Sequence, residues 1–286
     1  MLSVKLSRTI GFCSGVKRAI GIIEDTLSKS KNKIYSLGAV IHNPLVIKHL
    51  KEKGLVVVES LTDIPSGSTV ILPSHGTPRC ILNSSKKRRL NFIDVICPYV
   101  SKLQITCQNL YSQGYTIVII GDKRHPEVMA LKEIASGAYV IEKASDVSKN
   151  VFSHKKIGII AQTTQSRDTF FKLISLILDK NPLVKEVHIF NTICRDTSNR
   201  QEEVKRIAGR VDVMLVVGSR ISANTKRLLS IGLRGNKNTY LIESEDQVSN
   251  NILKGAKKVG LISGASAPEW LVRKIVKKIK NHKKER

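Results

Sequence analysis

Short apolar runs alternate along the chain with longer segments in which apolar residues recur at helical spacing. The alternation repeats three times, and each repeat places a cysteine, Cys13, Cys97 or Cys194, between a strand-like run and a helix-like segment. The runs before the cysteines predict strands at 4–6, 92–96 and 187–190. The segments after them predict helices at 16–27, 100–113 and 199–211. The chain is therefore predicted to be one structural unit that occurs three times.

Each repeat is predicted to be an α/β module in which strands alternate with helices. The modules are placed at 14–96, 97–193 and 194–286. The third module ends with a predicted helix at 269–280 and lacks a closing strand, so the N-terminal segment 1–13 is expected to complete it. Modules this small bury little core alone and are expected to share an interface.

Polar side chains follow the predicted strands at corresponding places in the repeats. They are His42, His75, His125, Glu127, Thr163, Ser222, Asn224 and Ser266. Open α/β sheets place their sites at such strand ends. A lone histidine in a turn usually has a capping or surface role, but histidines at corresponding strand ends favour a shared site. Ser222, Asn224 and Ser266 precede predicted helices, where hydroxyl, amide and backbone N–H groups can bind a phosphate.

The three repeated cysteines are candidate metal ligands. Each precedes a predicted helix, and a helix N-terminus favours the thiolate form that binds metals. Three modules around a pseudo-threefold axis would bring the thiols to one centre, which indicates a metal cluster with three protein ligands. Thiolates suit zinc or an iron–sulfur cluster, and three buried apolar cysteines are the alternative. Cys80 and Cys107 have no counterparts in the other repeats, and Cys107 is predicted to be a helix core residue.

The composition is that of a basic globular protein. Lys and Arg number 48 against 23 Asp and Glu, which gives a net charge of +25, and 41% of the residues are hydrophobic. The charge could indicate a polyanion partner, but a basic surface with no dedicated partner is favoured. Its positive field would still help to draw in a small anionic substrate. Because the lysines are mostly scattered and only 5% of the residues are aromatic, a nucleic-acid partner is not expected. With no signal-peptide pattern and no membrane-spanning run, we expect a cytoplasmic protein with reduced thiols. We also expect a monomer.

Eight motifs, in order through nearly the whole chain, resemble those of the 4-hydroxy-3-methylbut-2-enyl diphosphate reductase family. They lie at 11–20, 40–43, 74–76, 97–98, 125–128, 162–164, 197–202 and 264–268. The resemblance implies an iron–sulfur oxidoreductase of the methylerythritol phosphate, or non-mevalonate, route to isoprenoids. The implied reaction is reductive dehydroxylation of (E)-4-hydroxy-3-methylbut-2-enyl diphosphate to isopentenyl diphosphate and dimethylallyl diphosphate.

The same resemblance implies a pseudo-threefold trefoil of three α/β modules around one [4Fe–4S] cluster per chain. The implied cluster ligands are Cys13, Cys97 and Cys194, and the implied diphosphate-binding residues are His42, His75, Ser222, Asn224 and Ser266. His125 and Thr163 would lie near the substrate hydroxyl, and Glu127 would deliver protons. The alternative role of Glu127 is a favourable charge in the first turn of a helix. A ferredoxin- or flavodoxin-like protein would supply two electrons.

Two positions depart from the family pattern. Ala223 stands where the family usually has a second serine, and Met129-Ala130 replaces a Glu-Gly pair directly after the fifth motif, 125–128. The first departure bears on diphosphate affinity and the second on packing behind Glu127. The residues alone leave two rival functions open. One is a zinc-dependent hydrolase of a phosphorylated metabolite, and the other is a basic nucleic-acid-binding protein.

Overall fold

The computed structural model describes residues 2–77, 88–153 and 155–281, so Cys80 lies outside the described residues. The strands in chain order are β1 (Ser3–Leu6), β2 (Ile34–Leu37), β3 (Leu55–Val58), β4 (Thr69–Leu72), β5 (Asn91–Asp94), β6 (Thr116–Ile120), β7 (Tyr139–Ile141), β8 (Lys156–Ala161), β9 (Glu186–Ile189), β10 (Val213–Val217), β11 (Thr239–Ile242) and β12 (Lys258–Ser263). The helices are α1 (Ser14–Lys29), α2 (Pro44–Glu52), α3 (Pro98–Ser112), α4 (Pro126–Ile134), α5 (Arg167–Lys180), α6 (Arg195–Ala208), α7 (Ala223–Gly235), α8 (Asn250–Leu253) and α9 (Glu269–Asn281).

The described strands form three four-stranded sheets with one common order. The orders are β1-β12-β10-β11, β5-β4-β2-β3 and β9-β8-β6-β7. Every pairing is parallel, and the strand that precedes a cysteine lies at the edge of its sheet. The N-terminal strand β1 pairs with β12, so it belongs to the sheet of the third repeat. The predicted α/β class with three similar modules is confirmed.

The central strand β10 is apolar along its whole length because helices cover both faces of its sheet. All five residues of β10 are buried. One face of its sheet packs against Leu271, Ile275 and Ile279 of α9. The opposite face packs against α6 and α7 through Val204 and Leu228. The apolar faces of the amphipathic helices therefore cover the apolar strand from both sides, and these two sequence patterns together specify the architecture.

Contacts divide the chain into two compact units. Unit 1 comprises Met1–Lys17, Ile41–Leu50 and Arg195–Arg286, and unit 2 comprises Arg18–Val40 and Lys51–Cys194. Unit 1 contains the sheet of β1 and β10–β12, and unit 2 contains the other two sheets. The module boundaries at 97 and 194 and the trefoil placement of the modules stay predictions.

The repeated turn after the first strand of each module explains part of the sequence repeat. Backbone N–H groups of Gly38, Gly121 and Gly218 donate to the carbonyls of Val58, Ile141 and Ile242, which are the last residues of β3, β7 and β11. The glutamate that follows that strand then accepts an N–H from the turn in two modules, since Lys123 donates to Glu142 and Arg220 to Glu243. These repeated glutamates therefore close loops.

Helix α6 differs from its prediction at both ends. It spans Arg195–Ala208, so it begins four residues before the predicted segment 199–211 and ends three residues earlier. The first turns carry polar residues, and Thr197, Arg200 and Gln201 are nevertheless buried. Apolar periodicity cannot detect a buried helix face that is polar.

Candidate functional site

The three repeated cysteines are held by the same backbone contact. In each module the cysteine N–H donates to the carbonyl of the second residue after the neighbouring strand. The bonds run from Cys13 to Ala265 (3.0 Å), from Cys97 to Ser74 (2.9 Å) and from Cys194 to Thr163 (2.9 Å). Two of these acceptors precede a predicted substrate-binding residue, His75 or Ser266, and the third is one itself. Each candidate metal ligand is thus tied to a candidate substrate contact.

The chemistry of each of the three thiols suits an iron–sulfur cluster or a zinc ion. Among the residues that the structure describes, no group of three or more His, Cys, Asp or Glu side chains is arranged to hold a metal ion. Cys13, Cys97 and Cys194 are partly exposed thiols that immediately precede α1, α3 and α6. The Val16 N–H points at the Sγ of Cys13 across 3.4 Å, so the helix N-terminus stabilises a thiolate there. Soft thiolate ligands in place of carboxylates favour iron–sulfur or zinc binding over a hard cation.

Cys107 has the opposite environment, as predicted from its helix position. Its side chain is fully buried in the core of unit 2 with Leu103, Leu131 and Ile160. Burial raises the pKa of the Cys107 thiol to about 12. A thiol that stays protonated at neutral pH is a poor ligand, so Cys107 provides an internal control for the cluster assignment.

Glu127 lies in unit 2 as a buried carboxyl group with two hydrogen-bond donors. It is the second residue of α4, and only 2% of its surface is exposed. The Thr163 backbone N–H donates to Oε1 (2.6 Å), and the Thr163 hydroxyl donates to Oε2 (2.7 Å). Because Thr163 also accepts the Cys194 N–H, one residue links the acid to a candidate metal ligand.

Burial raises the pKa of Glu127 to about 7, against the hydrogen bonds from Thr163, which lower it. The negative charge of Asp122 adds to the upward shift. A carboxyl group with this pKa is partly protonated at neutral pH, as a general acid must be. The arrangement is therefore suited to proton transfer rather than to a surface charge at a helix end.

His125 positions the acid through the backbone. It is the N-cap of α4, and its Nδ1 accepts the backbone N–H of Glu127 (3.2 Å). Gln162 fixes the preceding turn, because its Oε1 accepts the Asp122 N–H (2.8 Å). Gly121 permits this approach, since a Cβ there would lie 2.9 Å from the Gln162 Cβ. Gln162 was not singled out as a site residue in the sequence, although it lies beside Thr163 in a family motif.

His75 lies in unit 2 in the turn between β4 and β5. The turn closes through a hydrogen bond from the Gly76 N–H to the Pro73 carbonyl (3.1 Å). Gly76 has φ +90°, and a Cβ there would meet the Gln104 amide at 2.7 Å. The glycine therefore fixes the backbone beside His75, and Ser74 on the other side holds Cys97.

Unit 1 contains buried polar groups of a kind that can bind an anion. Neither Asn224 amide atom, nor the Ser266 hydroxyl, has a hydrogen-bond partner among the described residues, although both side chains are buried. Unpaired buried polar atoms are costly, and native proteins keep them where a ligand or water completes the bonds. Ser222 is the N-cap of α7, and its side chain accepts the Thr225 N–H (3.3 Å), so Ser222 and Asn224 lie at a helix N-terminus.

His42 belongs to the same part of unit 1. The neighbouring Asn43 donates through Nδ2 to the Ser266 carbonyl (2.7 Å), and this bond fixes the two loops together. Burial and the positive charge of Lys226 lower the pKa of His42 below its ordinary value. A bound diphosphate would offset the effect of Lys226 by supplying negative charge, so the positive charge near His42 comes from Lys226.

Two further residues shape unit 1 and escaped the sequence analysis. Thr225 lies against the ends of β10 and β12, where a Cβ on Gly218 or Gly264 would come within 2.7 or 2.2 Å of its Oγ1. Arg200 is almost fully buried, and its guanidinium donates to the Gly11 carbonyl (3.0 Å) and the Ser263 carbonyl (2.7 Å). Arg200 thereby holds the segment before Cys13 against β12. A buried arginine gives no apolar signal, and only its place in motif 197–202 marks it.

The predicted site residues thus form two sets, one in each unit. Unit 1 contains Cys13, His42, Ser222, Asn224 and Ser266, and unit 2 contains His75, Cys97, His125, Glu127, Thr163 and Cys194. Within unit 1, a hydrogen bond from Asn43 to Ser266 links the loop of His42 to the loop of Ser266, and Lys226 at the start of α7 acts on His42. Within unit 2 it brings Glu127, His125 and Thr163 together and connects them to Cys194. The convergence of all eleven on one cluster stays a prediction.

Comparisons with known proteins agree over nearly the whole chain. Residues 4–280 match the family described as LytB protein. The 4-hydroxy-3-methylbut-2-enyl diphosphate reductase of Aquifex aeolicus is 38% identical over 283 residues, covering 98% of this chain and 96% of that protein. The protein of the same name from Clostridioides difficile is 33% identical, covering 98% of this chain and all of that protein.

Solved structures agree as well. The E-1-hydroxy-2-methyl-but-2-enyl-4-diphosphate reductase of Plasmodium falciparum has a TM-score of 0.91 and 33% identity, covering 96% of this chain and 87% of that chain. A structure titled as (E)-4-hydroxy-3-methyl-but-2-enyl diphosphate reductase, the terminal enzyme of the non-mevalonate pathway, has a TM-score of 0.71 and 37% identity, covering 98% and 100%. The chain belongs to the LytB protein family.

Proposed function

We propose that this chain catalyses the reductive dehydroxylation of (E)-4-hydroxy-3-methylbut-2-enyl diphosphate. The products are isopentenyl diphosphate and dimethylallyl diphosphate, in the last step of the non-mevalonate pathway. The names of the full-length relatives support the reaction. The carrying observation in the structure is the buried Glu127, which Thr163 joins to Cys194 through three hydrogen bonds.

The proposed cofactor is one [4Fe–4S] cluster held by Cys13, Cys97 and Cys194. When bound, such a cluster delivers electrons to the substrate and leaves one iron without a protein thiolate. The chain's own contribution is to fix the three cysteine backbones by the shared N–H contacts and to place each thiol at a helix N-terminus. Arg200 adds to this for Cys13 by binding the Gly11 carbonyl.

The diphosphate is assigned to the residues that have buried, unpaired polar atoms. Asn224 and Ser266 are two such residues in unit 1. The N-terminus of α7 and the cationic side chain of Lys226 add positive charge there. His42 and Ser222 complete this set, and His75 of unit 2 is assigned to the same diphosphate by its family motif. A charged ligand gains most from donors that are already desolvated and fixed, because binding then orders few side chains.

Glu127 is assigned the proton that leaves with the substrate hydroxyl. The reaction consumes two electrons and two protons: the C–O bond breaks, the oxygen leaves as water, and a hydrogen is gained at carbon. Hydroxide is a poor leaving group at neutral pH, so an acid must protonate the oxygen. Glu127 meets this need because its pKa is raised to about 7, while Thr163 and His125 fix its orientation.

The proposed electron donor is an acidic protein of the ferredoxin or flavodoxin type. The basic net charge of +25 suits association with an acidic partner.

We keep the expectation of a cytoplasmic monomer. No helix among the described residues is long and apolar enough to cross a membrane.

The test is to replace each cysteine by serine and to measure iron content, the anaerobic absorption spectrum and turnover with a chemical reductant. Cys13→Ser, Cys97→Ser and Cys194→Ser should each lower iron content and abolish turnover. Cys107→Ser is the matched control and should retain the cluster, because the Cys107 thiol is buried and protonated. Equal iron loss from Cys107→Ser would overturn the ligand assignment. If the parent protein, purified anaerobically, were colourless and contained zinc in place of iron, the proposed cofactor would be overturned.

A further inference from the structure

An open groove runs along unit 1 between the edge strand β1 and helix α9. Its apolar floor includes Leu6, Ile10 and Val276, and its volume is about 470 Å³. Leu6 is 41% exposed, although it ends a strand of the sheet. Arg273, Lys277 and Lys280 line the same groove from α9. An apolar floor with a charged rim is the usual composition of a protein-binding surface.

The charges of the rim specify the kind of partner. Arg273 is paired with Glu269 of the same helix (2.7 Å), whereas Lys277 and Lys280 are exposed and make no ion pair with any described residue. An acidic surface is therefore favoured. The chain's own last residues, 282–286, carry three cations and one acid, and a second copy would bring a further +25, so both are poorly matched occupants.

The apolar floor favours a protein over the other polyanions. Nucleic acids are bound by phosphate contacts and aromatic stacking, and the groove offers aliphatic side chains instead. A membrane would require a free apolar helix face, but Leu271, Ile275 and Ile279 of α9 are buried in the core of unit 1. The aliphatic floor matches the apolar centre of a small protein interface.

The groove adjoins the segment that carries Cys13. Ile10 lies three residues before Cys13, and three residues span at most about 11 Å. Gly11 packs against α9 so closely that a Cβ there would lie 3.3 Å from the Glu269 Cβ. A protein that sits in the groove is therefore close to a candidate cluster ligand through a short, packed stretch of chain.

We infer that the groove between β1 and α9 is the docking site of the acidic electron-donor protein. This inference rests on the proposed function, because an electron donor is needed only if the chain is a reductase. Electrons would pass from the reduced donor to the bound cluster at the Cys13 side, and the donor would leave oxidised. Rim charges act chiefly on the association rate, so Lys277 and Lys280 should set the rate of encounter.

The test compares Lys277→Glu with Lys278→Glu in the cluster-loaded enzyme. Both lysines are exposed neighbours on α9, and only Lys277 lines the groove. The probe is a purified acidic plant-type ferredoxin, and sodium dithionite is the small-molecule control. At low salt we expect Lys277→Glu to lower the second-order rate constant with ferredoxin by about tenfold, and the Lys277→Glu, Lys280→Glu pair to lower it further. Lys278→Glu should have little effect, and the dithionite rate should be unchanged in all variants.

A calorimetric titration with oxidised ferredoxin separates this inference from the proposed function. Binding that Lys277→Glu weakens and Lys278→Glu does not would support the groove even if turnover were absent. Equal losses from both variants would show a general charge effect and overturn the docking site. If anionic vesicles or duplex DNA bind and Lys277→Glu weakens that binding, while ferredoxin does not bind, the identity of the partner is overturned.

Discussion

The N-termini of α4 and α7 are built alike, and they differ at two positions that separate acid chemistry from anion binding. Each helix follows a glycine turn and begins with a side-chain cap, His125 or Ser222. The second helical residue is Glu127 in one and Asn224 in the other. Thr163 pairs with Glu127, but the residue that corresponds to Thr163 in the third module, by its bond to the cysteine N–H, is Ala265. Asn224 has no partner among the described residues.

This difference shows how one repeated frame supports two functions. Where the frame supplies Thr163, the side chain at the helix start is satisfied inside the protein and its pKa is set by the protein. Where the frame supplies Ala265, the amide of Asn224 remains available to a ligand. The backbone contact to the cysteine is the same in both cases, because it uses a carbonyl that any residue has.

The largest expected effect comes from Glu127→Gln. Glutamine is nearly isosteric and can accept the Thr163 N–H through Oε1 and donate to the Thr163 hydroxyl through Nε2. It cannot act as an acid, and losing a general acid typically costs about 10²–10⁴-fold in rate. We expect an intact cluster spectrum, normal substrate binding and a loss of at least about a hundredfold in turnover. Single-turnover kinetics with a chemical reductant measure this without the electron-donor protein.

Asn224→Leu should weaken substrate binding and stabilise the folded protein. The change removes two buried polar atoms that lack partners, so the folded apo-protein should gain about 1 kcal/mol of unfolding free energy while the apparent KM rises by about tenfold. Asn181→Leu is the matched control, because Asn181 is equally buried but binds Phe152 and Ile177. It should lose stability and keep its KM. Stability is measured by denaturant unfolding of the parent and both variants. An Asn224→Leu variant that is less stable than the parent would contradict this account.

Ala223→Ser tests the departure from the family pattern in the same helix turn. A restored hydroxyl adds at most one hydrogen bond to the diphosphate, which is worth about 0.5–1.5 kcal/mol. We therefore expect substrate affinity to tighten by no more than about tenfold. Turnover should change little, because the diphosphate is remote from the bond that breaks. A large change in turnover at constant affinity would assign this loop another role.

The smallest expected effect comes from Thr163→Ala, which makes the acid region resemble the Asn224 region. The Thr163 hydroxyl lowers the pKa of Glu127, so its removal should raise that pKa further above about 7. The acid then stays protonated to higher pH, and the fall in single-turnover rate should move to higher pH. A shift to lower pH would show that Thr163 does not act on the Glu127 carboxylate.

The sequence predicts the repeated parts of this molecule better than the parts that occur once. The three cysteines, the α/β modules and the polar strand ends follow from patterns that recur. Arg200, Thr225 and Gln162 occur once each, and their roles depend on close contacts with Gly11, Gly264 and Gly121 that no spacing shows. The start of α6 was placed too late for a related reason: the buried face of its first turns is polar, so apolar spacing does not reveal it.

The pKa of Glu127 could not be read from the sequence either. Its neighbours in the chain, Pro126 and Val128, give no hint that the carboxyl group is 98% buried and bound by Thr163, which lies in another strand's loop. Its position in the first turn was compatible with the helix-charge role as well as with the acid role. Burial distinguishes them, because a carboxylate that serves only as a helix-end charge remains in water.

The pH dependence of single-turnover reduction, measured for the parent and Glu127→Gln, tests the central claim most directly. Proton donation requires the protonated carboxyl group, so the parent rate should be highest below neutral pH and fall as the pH rises through about 7. The Glu127→Gln variant should be at least about a hundredfold slower and should lack this fall. A variant with the parent's rate and the parent's pH profile would contradict the assignment of Glu127 as the acid.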